Sequence, residues 1–468
     1  MNFQNIKNKK YIQDYIHQQI EIDNFYLKFI NPFQFQRLRD IKQLPTSCFS
    51  FPSVNHTRFE HSLGTFSIAN KYMKFLKNNQ PELNISKSLI NSVSLSGLCH
   101  NLGSPPYSSS FINFLKEKYN FDFNVSEMSY KIFENIIDTE NIDYDNKDKE
   151  DEQFDINICK KIISGNKNIT NYYEEIVNNT KNGIDSCIFD YLKRDMYKFG
   201  FPTQGIDFQI LTNNALIIDN KICFRENDIN SINDLWNNKI NMNKKFYLHK
   251  VTKSVELMIK DIFLYSDEQF KYLEKINNLN DFLTFTDFIL KQIKLKNSNN
   301  NNSLKKAQEL IKRIEKRNLY YFVGTYDSIN LKSSFETFNE ETLLKYTSSD
   351  YINLTKDDIR INKIKLNLGN DNKDPLLNIP FYKINKKNNT CEVVYKKREE
   401  IDHMLPNKFE EQIIMIYITE KNEEKLKAAI AALTNYCKDN GTQANIYKSP
   451  KKLMQKYNSS LFSKKLFN

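Results

Sequence analysis

Hydrophobic residues recur at helical spacing through the first two thirds of the chain. In RFEHSLGTFSIANKYMKFL, Phe59, Leu63 and Phe66 fall on one stripe, which is the pattern of an amphipathic helix. SLINSVSLSGLCHNLG and VTKSVELMIKDIFLYS show the same spacing, and we interpret SLKKAQELIKRIEKRNLYYFVG as a further helix. Gly103 offers a C-terminal stop for the second of these helices. The pattern predicts a helical domain over residues 1–324.

The pattern changes to alternating and β-branched residues after about Gly324. DIRINKIKLNLG, CEVVYKK and EEQIIMIYITE have strand character, and EEKLKAAIAALTNYCKDNG then reads as a helix that ends near Gly441. We therefore predict a mainly α protein, with the α-helical domain followed by a smaller α/β lobe over 325–445 and a basic tail over 446–468.

Two segments of the helical domain are predicted to be insertions. Residues 138–155 are rich in Asp and Glu and suggest a solvated acidic loop. Residues 297–303 (NSNNNNS) suggest a low-complexity, Asn-rich linker.

Composition places the protein in a reducing compartment and away from membranes. The chain has 468 residues, no run of eighteen apolar residues and no apolar leader at its N-terminus. Its seven cysteines form no CxxC pair, which suits free thiols better than disulfides. We expect an intracellular protein, cytoplasmic or nuclear, with no membrane association.

The net charge of +10 makes acidic ligands plausible, namely nucleotides and nucleic acid. Abundant Lys, Tyr and Phe could form a basic groove with aromatic platforms for a single strand. A general bias toward Asn, Lys and Ile along the whole chain accounts for the charge equally well, so nucleic acid stays one of several candidate partners.

Two histidines on separate predicted helices, His61 and His100, could converge on a metal ion. A pair of histidines alone is weak support for a metal site, because histidines also serve in cores and on surfaces. The segments around them are more informative. FQFQRLRDIKQLP, FPSVNHTRFEHSLG, GLCHNLG, NGIDSCIFDYLKRD and LHKV occur in this order, and HMLPNKFEEQIIMIY follows later.

Together these segments resemble the family of SAM- and HD-domain deoxynucleoside triphosphate triphosphohydrolases, from about Lys10 to about Asn440. The resemblance implies a helical HD domain with a small mixed lobe, assembled as dimers and nucleotide-bridged tetramers. It also implies water attack on a deoxynucleoside triphosphate, with release of the deoxynucleoside and triphosphate. No SAM domain is expected, since the chain starts where the HD region would begin.

The resemblance also implies which residues stand at the metal and catalytic positions. The four metal-ligand positions, His, His-Asp and Asp in the family, fall on His61, His100, Asn101 and Cys187. The family's further active-site histidines and a phosphate-contacting lysine fall on Ser104, Ser109, Val125 and Ile188.

These departures remove both carboxylates that offset the dehydration cost of a hard cation such as Mg²⁺. They also remove the groups with a pKa near neutrality. We therefore predict a pseudoenzyme, not an enzyme, without a cofactor, which acts as a structural or regulatory subunit through other proteins or an active paralogue. One alternative is a Cys187 thiolate that binds Zn²⁺ with the two histidines, in a hydrolase with a rewired metal site.

Positions that contact the nucleotide in the family are better preserved. They fall on Gln43, Leu44, Arg58, Tyr191, Asp195, Lys239 and Tyr247. Lys239 replaces an arginine, so the charge is kept while the bidentate fork is lost. The first alternative to the pseudoenzyme is therefore a sensor that binds dNTP or GTP without hydrolysis, ahead of the hydrolase with a rewired metal site.

The regulatory guanine-nucleotide positions of the family are mixed. They fall on Lys10, Asn31, Gln36 and Arg39. Asn31 replaces the aspartate that recognises the guanine edge, and an amide cannot accept both of its N–H donors. Guanine specificity and nucleotide-driven assembly are therefore in question.

Overall fold

The computed structural model describes residues 9–165, 168–201, 208–327, 332–367, 376–385, 390–401 and 410–446. The predicted basic tail lies outside the described residues apart from Ile446. The architecture is mainly α with a smaller α/β part, which confirms the predicted fold class.

The helices and strands are numbered here in chain order. The helices are α1 (Asn24–Ile30), α2 (Phe33–Gln36), α3 (Arg58–Asn79), α4 (Lys87–Cys99), α5 (Ser109–Tyr119), α6 (Val125–Thr139), α7 (Ile156–Ile163), α8 (Ser186–Phe199), α9 (Gln209–Asn213), α10 (Ile229–Met242), α11 (Lys250–Phe270), α12 (Tyr272–Asn277), α13 (Leu279–Leu283), α14 (Ile289–Leu295), α15 (Asn302–Glu315), α16 (Lys332–Thr337), α17 (Glu340–Leu344), α18 (Arg398–Ile401) and α19 (Glu423–Asp439). The strands are β1 (Lys9–Asp14), β2 (Gln18–Asp23), β3 (Leu216–Ile218), β4 (Lys221–Arg225), β5 (Tyr321–Asp327), β6 (Ile359–Asn367), β7 (Phe381–Asn385), β8 (Thr390–Val394), β9 (Glu410–Ile418) and β10 (Ala444–Ile446).

The chain forms two compact units. The first contains residues 1–252, 259–312 and 367–409, and the second contains 253–258, 313–366 and 410–468. The first unit has the hairpin β1–β2 and a four-stranded sheet in the order β3-β4-β7-β8, in which β4 and β7 are parallel. The second unit has a sheet in the order β10-β5-β9-β6, against which α19 packs.

Each unit has its own apolar core. In the first unit, Leu192 of α8 and Val93 of α4 are fully buried in one cluster with Trp236 of α10 and Phe381 of β7. In the second unit, strand and helix residues such as Val323, Ile416 and Leu433 form a separate cluster. Burial of these side chains is the main source of stability for the two units.

Short polar side chains begin two of the helices that carry the site, α4 and α8. Ser86 accepts a hydrogen bond from the Leu89 amide at the start of α4, and Asp185 accepts one from the Ile188 amide at the start of α8. Such caps satisfy amides that have no partner within the helix. The two caps fix the residues at which α4 and α8 begin. They therefore also fix which side chains of each helix face the other.

Several sequence-based expectations differ from the structure. The helix predicted to reach Gly324 ends at Glu315, and β5 begins at Tyr321 within the aromatic run YYFVG, whose residues favour strands. CEVVYKK, expected in the smaller lobe, contributes β8 to the first unit. The acidic stretch 138–155 is not wholly solvated, because Ile142 and Phe154 are buried and a 3₁₀ helix covers Lys147–Glu152. In the Asn-rich stretch 297–303, α15 already begins at Asn302.

None of the helices in the described part of the chain combines the length and apolar character that crossing a membrane requires.

Candidate functional site

Four elements of the first unit bring the predicted site residues together. The first turn of α3 supplies Arg58 and His61, and the C-terminal end of α4 supplies His100. Helix α8 supplies Asp190 and Asp195, while the turn between β1 and β2 reaches in with His17. The rings of His61 and His100 lie 5.3 Å apart between centroids.

A buried carboxylate, Asp190, organises this cluster. Its Oδ1 and Oδ2 accept hydrogen bonds from His17 Nε2 and His61 Nδ1, each at 2.7 Å. Arg194, one turn later on α8, donates to both oxygens at 2.8 and 2.9 Å and to Asp14 at 2.8 Å. These cationic and N–H partners hold the pKa of Asp190 well below its ordinary value despite burial. Asp190 is therefore an anion inside the core.

Both site histidines are held as neutral imidazoles with Nδ1 protonated. Nδ1–H of His61 donates to Asp190, and Nδ1–H of His100 donates to the Gly97 carbonyl at 2.8 Å. Burial lowers the pKa of His61 and lowers that of His100 to about 3. Both Nε2 atoms therefore carry lone pairs, the state in which histidine binds a metal or accepts a proton.

Asn101 donates a hydrogen bond to the lone pair on Nε2 of His100. Its Nδ2 lies 2.5 Å from His100 Nε2, and its Oδ1 accepts from an Arg58 guanidinium nitrogen at 3.3 Å. An amide is both donor and acceptor, so it can join a basic nitrogen to a guanidinium. A carboxylate at this position could not make the first of these bonds.

The remaining ligand position, Cys187, holds a thiol. Burial raises its pKa well above the ordinary value, as does the nearby Asp185 carboxylate. The thiolate, the form that binds metals, is therefore disfavoured. Asp185 itself accepts from the Asn179 and Ile188 amides, and burial raises its pKa to about 6.

The family's metal set does not fit these residues. Within the described ranges, no group of three or more His, Cys, Asp or Glu side chains is arranged to hold a metal ion. A hard divalent cation needs several anionic or carbonyl oxygens, whereas the four positions offer two imidazoles, an amide and a thiol.

A second hydrogen-bonded group lies beside the histidines and contains several of the predicted nucleotide positions. Asp195 Oδ1 lies 2.6 Å from His56 Nε2, and Asp195 Oδ2 accepts from the Tyr247 hydroxyl at 2.5 Å. Burial and the Asp195 charge raise the pKa of Tyr247 well above its ordinary value, so the phenol stays protonated. The group joins the loop before α3, α8 and the π-helical turn Asn243–Tyr247.

Several buried polar atoms around this group lack partners within the described structure. They are Gln43 Oε1, His56 Nδ1 and Arg58 Nε. An unpaired buried polar atom costs about 1–3 kcal/mol, so native proteins satisfy such groups or reserve them for a ligand. These three atoms are available to a polar ligand or to ordered water.

The other predicted positions are distributed as follows. Ser104 is buried, Ser109 and Val125 begin α5 and α6, and Ile188 is buried in α8. Leu44, Tyr191, Lys239 and Tyr247 are half-buried. Burial lowers the pKa of Lys239, and the Asp185 charge acts in the opposite direction.

The regulatory positions lie mainly around α1 and α2. Gln36 Nε2 donates to the Ile30 carbonyl, and Arg39 donates to Gln36 Oε1, each at 2.7 Å. Arg39 also lies over the Phe59 ring. Asn31 is exposed at the end of α1, and Lys10 is exposed on β1, opposite Ile22. Their role as a nucleotide site stays a prediction.

Sequence reasoning missed His17, His56 and the Asp14–Arg194–Asp190 group. The segments that contain them were recognised, but the partners of the two histidines are 173 and 139 residues away. Only the packing of the hairpin and of the loop before α3 against α8 shows these contacts. The short spacing of Asp190 and Arg194, one helical turn, was the one available signal.

Gly64 permits the close approach of α3 to the Asp190–Arg194 pair. A Cβ atom at this position would lie 1.8 Å from Asp190 Oδ1. We expect Gly64→Ala to destabilise the protein by about 3 kcal/mol, since such overpacking displaces a buried charge pair. Gly97→Ala is the matched control, because its Cβ would lie 3.3 Å from the nearest atom, in another helix interior. Urea unfolding compares them, and equal stabilities of the two variants would contradict the expectation.

Comparison with known proteins finds several relatives, although no protein-family model matches the chain. A deoxynucleoside triphosphate triphosphohydrolase SAMHD1 homolog from Dictyostelium discoideum is 33% identical over 442 residues, which cover 94% of this chain and 82% of the relative. SAMHD1 from Bos taurus is 29% identical over 486 residues, covering 96% and 81%. A putative HD domain-containing protein from Acanthamoeba polyphaga mimivirus is 30% identical over 282 residues, covering 57% and 60%.

The names of these relatives contradict the prediction that the chain is not an enzyme. The relatives that match along most of the chain are named as triphosphohydrolases, which are enzymes. The loss of familiar side chains was therefore not sufficient ground for that prediction. The extent of the similarity shows that the chain belongs to the SAMHD1-like family of HD-domain deoxynucleoside triphosphate triphosphohydrolases.

Proposed function

We propose that this protein binds a deoxynucleoside triphosphate in the first unit and hydrolyses it slowly, with a site that departs from its relatives'. The observation that carries the proposal is the buried group of Asp195, His56 and Tyr247, with unpartnered polar atoms on Gln43, His56 and Arg58 around it. A polar ligand with several acceptors and donors, such as a nucleotide, would satisfy these atoms.

The charges around the group suit the triphosphate part of such a ligand. Arg58 keeps an unpartnered Nε, and a guanidinium binds phosphate oxygens in a fixed fork. Lys239 supplies a second cation on α10, with a pKa lowered by burial. An anionic ligand would recover part of the cost of burying both charges.

The neutral histidines are the groups best placed to handle protons. His61 has a free Nε2 lone pair, and its Nδ1–H is fixed by the Asp190 anion. Such an anion orients an imidazole and stabilises its protonated form as a proton is taken up. Without the carboxylates of its relatives the site lacks a major source of transition-state stabilisation, which is why the proposal specifies slow turnover.

The proposal is tested by calorimetric titration of the purified protein with dGTP, followed by chromatography of the mixture. We expect saturable binding and slow appearance of deoxyguanosine and triphosphate. Arg58→Gln should weaken binding by about tenfold through loss of a charge-assisted contact. Arg225→Gln, an exposed arginine on β4, is the matched control and should bind as the unaltered protein does.

The two parts of the proposal fail separately. If the titration with dGTP shows no heat of binding, the proposed nucleotide site in the first unit is absent. If dGTP binds but is recovered intact after prolonged incubation with Mg²⁺, Mn²⁺ or Zn²⁺, the hydrolysis part is wrong. Association with other proteins and binding of nucleic acid are separate predictions, which oligomer analysis and salt-dependent binding would test.

A further inference from the structure

A cavity of about 370 Å³ lies beside the turn of the N-terminal hairpin, and we call it the hairpin cavity. Its described lining residues are Ile16, His17, Gln18, Ile68, Lys71, Phe189, Lys193, Phe208, Gln209 and Thr212. His17 also contacts the Asp190 group, and none of the predicted nucleotide, metal or regulatory positions is among the lining residues. Its volume falls in the range of small-molecule pockets.

The polar part of the hairpin cavity is cationic. Lys71 of α3 and Lys193 of α8 both line it, and neither forms an ion pair with another described residue. The described lining contains no carboxylate. Asp190, the buried anion bonded to the lining residue His17, is already compensated by Arg194 and the histidines. An anionic ligand would therefore meet two uncompensated positive charges.

The apolar part of the lining includes two aromatic residues. Phe189 and Phe208 form a stacked pair with ring centroids 5.3 Å apart and an interplanar angle of 20°. Ile68 lies with them in the lining. Phe189 and Phe208 are only 4% and 7% exposed, so they offer the ring of a ligand a small apolar contact rather than an open stacking platform. Thr212 and Gln209 add polar groups to the lining.

We propose that the hairpin cavity binds a phosphate monoester attached to a planar ring, of the size of a mononucleotide. The two lysines contact the phosphate, and the aromatic and aliphatic wall contacts the ring. One wall residue, His17, is hydrogen-bonded to Asp190, which in turn holds His61. The ligand therefore binds two hydrogen bonds away from the histidine pair, in a site of its own.

Calorimetry with adenosine monophosphate and with adenosine tests this proposal. We expect the monophosphate to bind and adenosine to bind at least tenfold more weakly. Lys71→Gln and Lys193→Gln should each lower the affinity for the monophosphate about tenfold. Lys77→Gln is the matched control, as an exposed lysine on α3 outside the cavity. All three variants alter solvent-accessible lysines, and circular dichroism with thermal unfolding verifies that each is folded.

Three results would overturn the proposal. They are no binding of the monophosphate, equal affinity for adenosine, and unchanged affinity in both lysine variants. Arg58→Gln distinguishes the two sites, because it should lower the affinity for dGTP and leave the affinity for the monophosphate unchanged. If Arg58→Gln abolishes monophosphate binding and the lysine variants do not, the ligand occupies the HD-domain site and the hairpin cavity is not a site. The inference does not rest on the proposed function, so either can fail alone.

Discussion

An Asn101→Asp, Cys187→Asp double variant should gain affinity for Mn²⁺ and release triphosphate from dGTP at least a hundredfold faster than the unaltered protein. At present the amide of Asn101 donates to His100 Nε2, and Cys187 is a protonated thiol. A carboxylate has no N–H, so the lone pair of His100 would become available. Two added negative charges would then offset the dehydration of the cation.

Metal analysis after gel filtration and chromatography of the dGTP reaction measure the two effects. The single variants should each gain less than half of the double variant's increase on a logarithmic scale, because residues in one site act together. Asn79→Asp adds one negative charge at an exposed position of α3 and is the control for charge alone. A folded double variant without Mn²⁺ binding would show that other features of the site exclude the ion.

Arg194→Met should destabilise the protein by about 3–5 kcal/mol, the usual cost of leaving a buried charge without its partner. Arg194 is fully buried and joins Asp190 to Asp14. Methionine fills similar space but leaves both carboxylates uncompensated. We also expect weaker dGTP binding, because Asp190 positions His61. Urea unfolding at pH 7 measures the free energy of unfolding.

A double-mutant cycle separates the charge effect from packing. Adding Asp190→Asn to Arg194→Met should recover part of the lost stability, since the most buried anion is then removed. Lys77→Met, at an exposed position of α3, should change stability by less than about 0.5 kcal/mol. If the double variant is as unstable as the sum of the single ones, the pair does not act as a charge pair.

Helical periodicity was sufficient to predict α3 and α4, because their apolar stripes are long and regular. The contact between the rings of His61 and His100 could also be anticipated, since each lies at the facing end of one of these helices. The role of Asn101 could not, because it depends on an amide turned toward two groups from different helices. Strand β5 was not predicted, because the helical pattern was extended to Gly324. The helix itself ends at Glu315.

The contacts of the hairpin with α8 also bear on how the chain is made. Asp14 and His17 precede their partners Arg194 and Asp190 by 180 and 173 residues. A ribosome adds about 5–20 residues per second, so the hairpin waits roughly 10–40 s before α8 has been synthesised. During that interval, Asp14 and His17 of the hairpin lack their hydrogen-bond partners on α8. Slowing translation between the hairpin and α8 lengthens the time in which a chaperone can bind them.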